Sequence, residues 1–187
     1  MARIALDIDS TLHHYWDLLQ RIVRERYGIE LPYEEQRDWG ITALERDALV
    51  HCVEETHSDE NIAAADPYPG AVDTVRGWHR SGHWIHVTSH RRASAGPATA
   101  RWLDTIGMPF DDLHCSFDKV TRCVEIGIEV LIDDSPVNLA RARDAGIVPA
   151  TIVHPWNEDL VERDEVIGAP DWVSLRAKLE PVLERIG

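Results

Sequence analysis

Ala2-Arg3-Ile4-Ala5-Leu6-Asp7-Ile8-Asp9-Ser10-Thr11 is a compact apolar run that breaks off abruptly into carboxylates and hydroxyls. Ile4, Ala5 and Leu6 predict a short buried strand, because a brief apolar run bounded by polar residues suits a strand covered on both faces. Asp7 and Asp9 stand two apart, so an extended backbone aims both carboxylates the same way. Like charges that close repel each other unless a cation joins them. Oxygen-only ligands of this kind suit Mg²⁺, which takes a few carboxylates and leaves its other positions to water and phosphate.

The rest of the chain repeats the pattern of a strand ending in polar residues. Trp84 to Thr88 predicts a strand leading to Thr88 and Ser89, and Glu129 to Ile132 predicts one leading to Asp133 and Asp134. After the acidic pair, Ser135 as N-cap and Pro136 at the first helical position open a helix closed by Gly146. Further strands are expected near Leu113 to Cys115 and at Pro149 to Val153. Helices are expected over Ala71 to Trp78, Ala98 to Ile106, from Val120, and along Leu175, Leu179, Leu183 and Ile186. Strands alternating with helices imply an α/β fold with a parallel sheet covered on both faces, and ligands gather beyond the carboxyl ends of such strands.

Between the first strand and Pro67 the pattern is helical instead. Tyr15, Trp16, Leu19, Ile22 and Val23 recur at helical spacing before Gly28, a loop is expected from Glu30 to Gly40, and Leu44, Ala48, Leu49 and Val53 suggest a second helix. A small-residue stretch follows from Asn61 to Gly70. Residues 12–66 thus read as a helical insertion, and residues 1–11 with 67–187 as the core that carries it.

Composition narrows the function. The 187 residues, 44% of them apolar, suffice for one well-buried unit with a modest insertion. With 33 acidic against 19 basic residues the formal charge is −14, which repels a nucleic acid polymer. No apolar run reaches membrane-spanning length and no export segment is evident, so a cytoplasmic protein without a membrane partner is expected. Cys52, Cys115 and Cys123 show no metal-binding spacing and read as buried reduced thiols. The composition leaves a homodimer open. Of the basic residues only Lys119 and Lys178 are lysines, which singles out Lys119 for a role needing a compact ammonium.

Each cluster has an ordinary structural reading when taken singly. Asp at a strand end is also a common turn residue, Thr88 and Ser89 suit a turn, and a lone lysine is usually solvated. Their joint order is what carries meaning. Asp7-Ile8-Asp9-Ser10-Thr11, Thr88 closing His86-Val87-Thr88-Ser89, Lys119 in Phe117-Asp118-Lys119-Val120, and Leu131-Ile132-Asp133-Asp134-Ser135 together resemble the haloacid dehalogenase superfamily of phosphatases, over roughly Ala2 to Val153. Pro67-Tyr68-Pro69-Gly70-Ala71 and an insertion directly after the first motif are similar to its 5′(3′)-deoxyribonucleotidase-like branch. Ser10 stands where glycine is more usual.

The resemblance implies a HAD-like Rossmannoid three-layer sandwich with a small helical C1-type cap. It implies Mg²⁺-dependent hydrolysis of a small phosphomonoester, with a nucleotide among the candidate substrates. Asp7 would be the nucleophile, forming an aspartyl-phosphate, and Asp9 the general acid and base. Thr11, Thr88, Ser89 and Lys119 would bind the phosphoryl group. Asp7, the Asp9 carbonyl and Asp134 would hold Mg²⁺, with Asp133 behind them, although the two neighbouring carboxylates could exchange these roles. In the cap, His13, His14, Tyr15, Trp16 and Trp39 are candidate lining residues, though aromatics at helical spacing more often fill a core. Arg91 and Arg92 fit either a second anionic group or solvated loop charges. A simple turn accounts for His154 to Asn157, which receive no role. A phosphosugar phosphatase is the competing enzyme, and a phosphate-binding or phospho-receiver module the competing class. A receiver places its acceptor in mid-chain, unlike Asp7.

Overall fold

A computed structural model describes residues 1–38 and 41–186 of the chain. β1 (Arg3–Leu6) is followed by α1 (Tyr15–Tyr27), α2 (Arg46–Thr56), α3 (Asp59–Ala63) and α4 (Ala71–Arg80). Then come β2 (Trp84–Ser89), α5 (Gly96–Thr105), β3 (Asp112–Cys115), α6 (Lys119–Glu125), β4 (Val130–Ile132) and α7 (Pro136–Asp144). β5 (Val148–Ile152), α8 (Glu158–Glu162), β6 (Ile167–Ala169) and α9 (Trp172–Ile186) complete it. The six strands form one sheet in the order β3-β2-β1-β4-β5-β6, every neighbouring pair being parallel. In register, Leu6 lies beside Val87 on one side and Ile132 on the other, so the residues following those strands emerge together at one edge.

Strand alternation builds three layers. Ile4, Leu6, Ile85, Val87, Val130 and Ile132 face a core filled from α4, α5 and α9 by Val75, Trp78, Leu103, Leu175 and Leu179. The intervening Ala5 and Leu131 point to the other face, against Val120, Cys123 and Ala142. Each such fully buried Leu or Ile contributes on the order of 2 kcal/mol of transfer free energy. The α/β sandwich read from the sequence is the fold observed.

The helices between β1 and α4 have an apolar cluster of their own. Tyr15, Trp16, Leu19, Ile22 and Val23 on one face of α1 pack with Leu31, Leu44 and Cys52. Gly28 ends α1 at φ 66, and its N–H bonds the Arg24 carbonyl, a left-handed closure that favours glycine. The chain leaves and re-enters the sheet layer at adjacent points: Tyr68 N–H bonds the Leu12 carbonyl at 2.7 Å and His13 bridges Pro67.

Three elements differ from the sequence reading. Part of the small-residue stretch is α3, started by Ser58, whose Oγ accepts the Asn61 N–H. The polar segment after β5 holds α8 and β6. β6 is only three residues long, too short to display alternation, and a Cβ on its Gly168 would lie 2.3 Å from Val161 of α8. Cys115 is half-buried rather than buried. No helix among the described residues is long and apolar enough to cross a membrane.

Candidate active site

The ends of β1 and β4 bring Asp7, Asp133 and Asp134 together, with a carboxylate oxygen of each within 4.8 Å of the others. Lys119, at the start of α6 and 1% exposed, inserts between them: its Nζ lies 2.6 Å from Asp7 Oδ1 and 2.9 Å from Asp133 Oδ2. Burial alone would pull this ammonium down, but the carboxylates of Asp133 and Asp7 more than offset it and hold it above the usual lysine range. One ammonium does not balance three carboxylates. Burial lifts Asp7 to about 7 against the pull of Lys119, with Asp133 and Asp9 adding to the rise. Burial and the charges on Asp7 and Asp133 push Asp134 well above the ordinary carboxylate range.

The two neighbouring carboxylates differ in their commitments. Asp133 accepts hydrogen bonds from Lys119, from the Ser135 N–H at 2.9 Å, and from Asn138 Nδ2 at 3.1 and 3.3 Å. It therefore anchors Lys119 and caps α7, while the Ser135 side chain makes no capping bond. Asp134 accepts only from Trp156 Nε1, 3.1 Å from Oδ2, so its Oδ1 is without a hydrogen bond among the described residues. An all-oxygen set with uncompensated negative charge fits a hard divalent cation, with Asp7 and Asp134 as the side chains best able to hold it.

Asp9 is held differently. Arg91, 1% exposed, forks its carboxylate with Nη2 2.7 Å from Oδ1 and Nε 3.2 Å from Oδ2. His13 Nε2 lies 3.0 Å from Oδ1, His57 Nε2 3.3 Å from Oδ2, and Ser89 Oγ donates to Oδ2 at 3.3 Å. Burial would raise Asp9, but the charge of Arg91 and the bonds from His13 and His57 outweigh it and hold the carboxyl well below its ordinary range. Asp9 is an anion here. Ser89 serves that carboxylate, and Arg92 pairs on the surface with Glu54 of α2.

Behind the carboxylates, the loop 154–157 is densely bonded. Ser10 adopts φ 57, a left-handed conformation uncommon for a residue with a Cβ. Its carbonyl accepts from His154 Nε2 at 2.6 Å. Because a carbonyl can only accept, Nε2 carries the hydrogen, and Nδ1 receives the Tyr33 hydroxyl at 2.7 Å. Burial keeps this imidazole neutral, its pKa lowered to about 4. Asn157 Nδ2 donates to the Asp134 carbonyl at 3.0 Å.

Among the described residues, the hydroxyls of Ser10, Thr11 and Thr88 are buried without a hydrogen-bond partner. Orphaned buried donors are costly; Ser10 and Thr11 follow Asp9 in the chain, and Thr88 follows Val87, the register partner of Leu6. A cavity of about 570 Å³ opens over the carboxylates, lined by Asp7, Asp9, Lys119, Asp133 and Asp134 together with Tyr15, Val53, His57, Phe117, Pro136 and Val137. Its volume lies in the range of small-molecule sites.

Asp7, Asp9, Lys119, Asp133 and Asp134 thus meet at one cavity, whereas Thr11, Thr88 and Ser89 are buried and do not line it. Tyr15 and His57 also reach it. Trp16 is buried in the α1 cluster, His14 packs on Tyr68 with ring centroids 4.0 Å apart, and Trp39 lies outside the described residues. Arg91 is a buried partner of Asp9 rather than a solvated loop charge. His154, Trp156 and Asn157, given no role from sequence, bond the loops that carry Asp9 and Asp134. Asn138 had a legible signal, since it is a polar residue on the buried face of α7 beside Leu139 and Ala142.

No family model matches the chain. It is 28% identical over 171 residues to a protein of Chlorobaculum tepidum named "Putative 5′(3′)-deoxyribonucleotidase", covering 85% of this chain and 82% of that one. It is 23% identical over 151 residues to a "Putative nucleotidase" of Bacillus cereus, covering 73% and 78%. Among solved structures, a HAD family hydrolase from Deinococcus radiodurans R1 with bound phosphate and sodium superposes with a TM-score of 0.67 at 16% identity, covering 99% of this chain and 96% of that one.

Proposed function

Because this chain has the fold of the haloacid dehalogenase-superfamily hydrolases, we propose that it is a Mg²⁺-dependent phosphoric monoester hydrolase that works through an aspartyl-phosphate on Asp7 and takes nucleoside monophosphates. One observation carries the reading: Lys119 Nζ sits 2.6 Å from Asp7 in a buried cluster that still has an excess of carboxylates. That surplus suits a cation and a phosphoryl group arriving together.

In the first half, an Asp7 carboxylate oxygen attacks phosphorus in line. The new P–O bond forms as the bond to the ester oxygen breaks. Lys119 offsets charge on Asp7 and on the phosphoryl oxygens, and the Thr11 and Thr88 hydroxyls gain the partners they lack. In the second half water attacks phosphorus, the bond to Asp7 breaks, and Asp9 takes the proton of the water. The surroundings of Asp9 hold it as a carboxylate, which suits this base step. For the acid step, Asp9 takes up a proton from solvent as substrate binds and delivers it to the leaving oxygen, and the proton it then takes from the attacking water restores its protonated form. Mg²⁺, held by Asp7, the Asp9 carbonyl and Asp134, would neutralise the substrate phosphate against the surrounding acidic groups. Asp133 keeps Lys119 in place. The helical insertion, residues 12–66, is the cap that excludes water and meets the leaving group.

Nucleotides are favoured over phosphosugars by the apolar part of the cavity lining. Val53, Phe117, Pro136 and Val137 supply it, and Phe117 is 72% exposed, its ring stacked on that of His90 at a centroid distance of 6.0 Å. A flat base fits such a surface better than a polyol. The curated relatives carry nucleotidase names. Phosphate release from deoxynucleoside monophosphates, deoxyribose 5-phosphate and sugar phosphates, with Mg²⁺ and with Asp7→Asn as control, tests both levels. Turnover by Asp7→Asn removes the covalent mechanism. Equal turnover of deoxyribose 5-phosphate removes the nucleotide preference alone.

A further inference from the structure

Trp156 belongs to two places at once. It follows β5 in the sheet layer, yet its indole is buried in the apolar cluster of the helical insertion, with its ring centroid 5.6 Å from that of Trp16. From there its Nε1–H reaches out to fix Asp134 Oδ2 at 3.1 Å. A parallel link runs from the insertion through the Tyr33 hydroxyl to His154 Nδ1, and from His154 Nε2 to the carbonyl of Ser10, in the loop that carries Asp7 and Asp9. The two links support each other, since the rings of His154 and Trp156 stack at 4.6 Å and 6°.

We propose that Trp156 and His154 are positioning residues through which the seating of the helical insertion and the binding of the divalent cation are linked. The proposal rests on the metal-dependent reading above. Asp134 is buried and, among the described residues, has one hydrogen bond to orient its carboxylate, so withdrawing the indole leaves that carboxylate free to turn. Ser10 is strained, and its carbonyl is held by a histidine whose other nitrogen bonds the insertion. A seated insertion therefore presents Asp134 and the Asp7–Ser10 loop in the arrangement a cation needs. By thermodynamic reciprocity, a bound cation strengthens that seating by the same factor. The insertion would act as part of the metal site without contributing a ligand.

Calorimetric titration of chelator-treated full-length protein with Mg²⁺ tests this without reference to turnover. Trp156→Phe keeps a ring in the cluster but loses the N–H, and should weaken Mg²⁺ binding about tenfold, as partners of metal ligands commonly do. Trp16→Leu alters the insertion, where the indole N–H of Trp16 bonds the Leu31 carbonyl. It should weaken Mg²⁺ binding at least threefold. Trp16 is buried, so Tyr33→Phe, which removes one hydroxyl from a half-buried side chain, provides a second insertion variant and should shift affinity in the same direction. Reciprocally, Mg²⁺ should slow proteolytic cleavage within residues 28–46 of the unsubstituted chain, and Trp156→Phe should lose that protection. Loss of affinity in Trp156→Phe with unchanged affinity in Trp16→Leu and Tyr33→Phe overturns the linkage, as does wild-type affinity in all three. If the unsubstituted chain binds no Mg²⁺, the metal-dependent reading falls, and the linkage with it.

Discussion

Arg91 forks the carboxylate of Asp9 from a fully buried position, and its remaining nitrogen, Nη1, donates to Thr99 Oγ1 at 3.1 Å. A buried ion pair is weak evidence of net stability, but removing one partner leaves an uncompensated charge. Arg91→Met should therefore cost about 3 kcal/mol of folding stability. Arg91→Lys, which keeps the charge without the fork, should recover part of it. Urea unfolding of both variants decides the matter, and an unchanged midpoint for Arg91→Met contradicts this account of Asp9.

Asp7→Asn separates chemistry from stability. Turnover should fall at least about a thousandfold, since the proposed nucleophile is gone. Yet burial and neighbouring carboxylates raise Asp7 to about 7, so its ionised form is a burden on the metal-free fold near neutral pH. Thermal unfolding of the chelated variant should occur at or above the temperature of the unsubstituted chain. A clear drop would mean that the Asp7–Lys119 contact outweighs the repulsion.

Lys119 is buried with its ammonium shared between Asp7 and Asp133. Lys119→Arg must fit a planar fork where an ammonium touches two carboxylates, and kcat should fall on the order of 10²-fold or more, the scale of losing one electrostatic contact at a transition state. Lys119→Met should lose as much activity and should also destabilise the chelated protein, because Asp7, Asp133 and Asp134 then face one another without a cation. Kinetics and unfolding measured side by side test both statements.

Acid should loosen the sheet through His86. This residue is fully buried in β2, stacked between Trp84 and His114, with Asp112 Oδ2 3.0 Å from Nδ1 and Arg122 nearby. Burial lowers its pKa to about 4, against the pull of Asp112. The unfolded chain protonates this histidine near pH 6.5 and the folded chain only near 4. Stability is therefore full above about pH 6.5 and declines as pH falls toward 4, by up to about 3 kcal/mol. His86→Leu should flatten that decline in a series of urea titrations from pH 7 to 4. An equally steep decline in the variant would assign the effect to other groups.

The sheet was legible because its central strands are apolar runs closed by polar residues. Leu6 to Asp7 and Ile132 to Asp133 each mark a strand end without reference to anything distant. β6 was not, since three residues with a glycine among them carry no periodicity. The carboxylates and Lys119 could be found because each is unusual where it stands, one as a charge closing an apolar run and the other as a lysine in a chain that otherwise uses arginine. Arg91, His57, His154 and Trp156 gave no such sign. Arg91 and Arg92 are adjacent and chemically identical, and only the turn after β2 decides that one is buried on Asp9 and the other pairs with Glu54. His154 and Trp156 act through partners more than a hundred and about twenty residues away, respectively. Spacing along the chain says nothing about such meetings.

The stitching of Tyr68 to Leu12, and of His13 to Pro67, means that the intervening stretch departs and returns through one doorway. A detour whose ends already touch adds little closure entropy however long it grows. The sheet layer can thus tolerate wholesale exchange of that detour for another, longer or shorter, provided the doorway residues remain. The same catalytic floor could in this way be given a different roof, and new molecules admitted, with no change to the strands beneath.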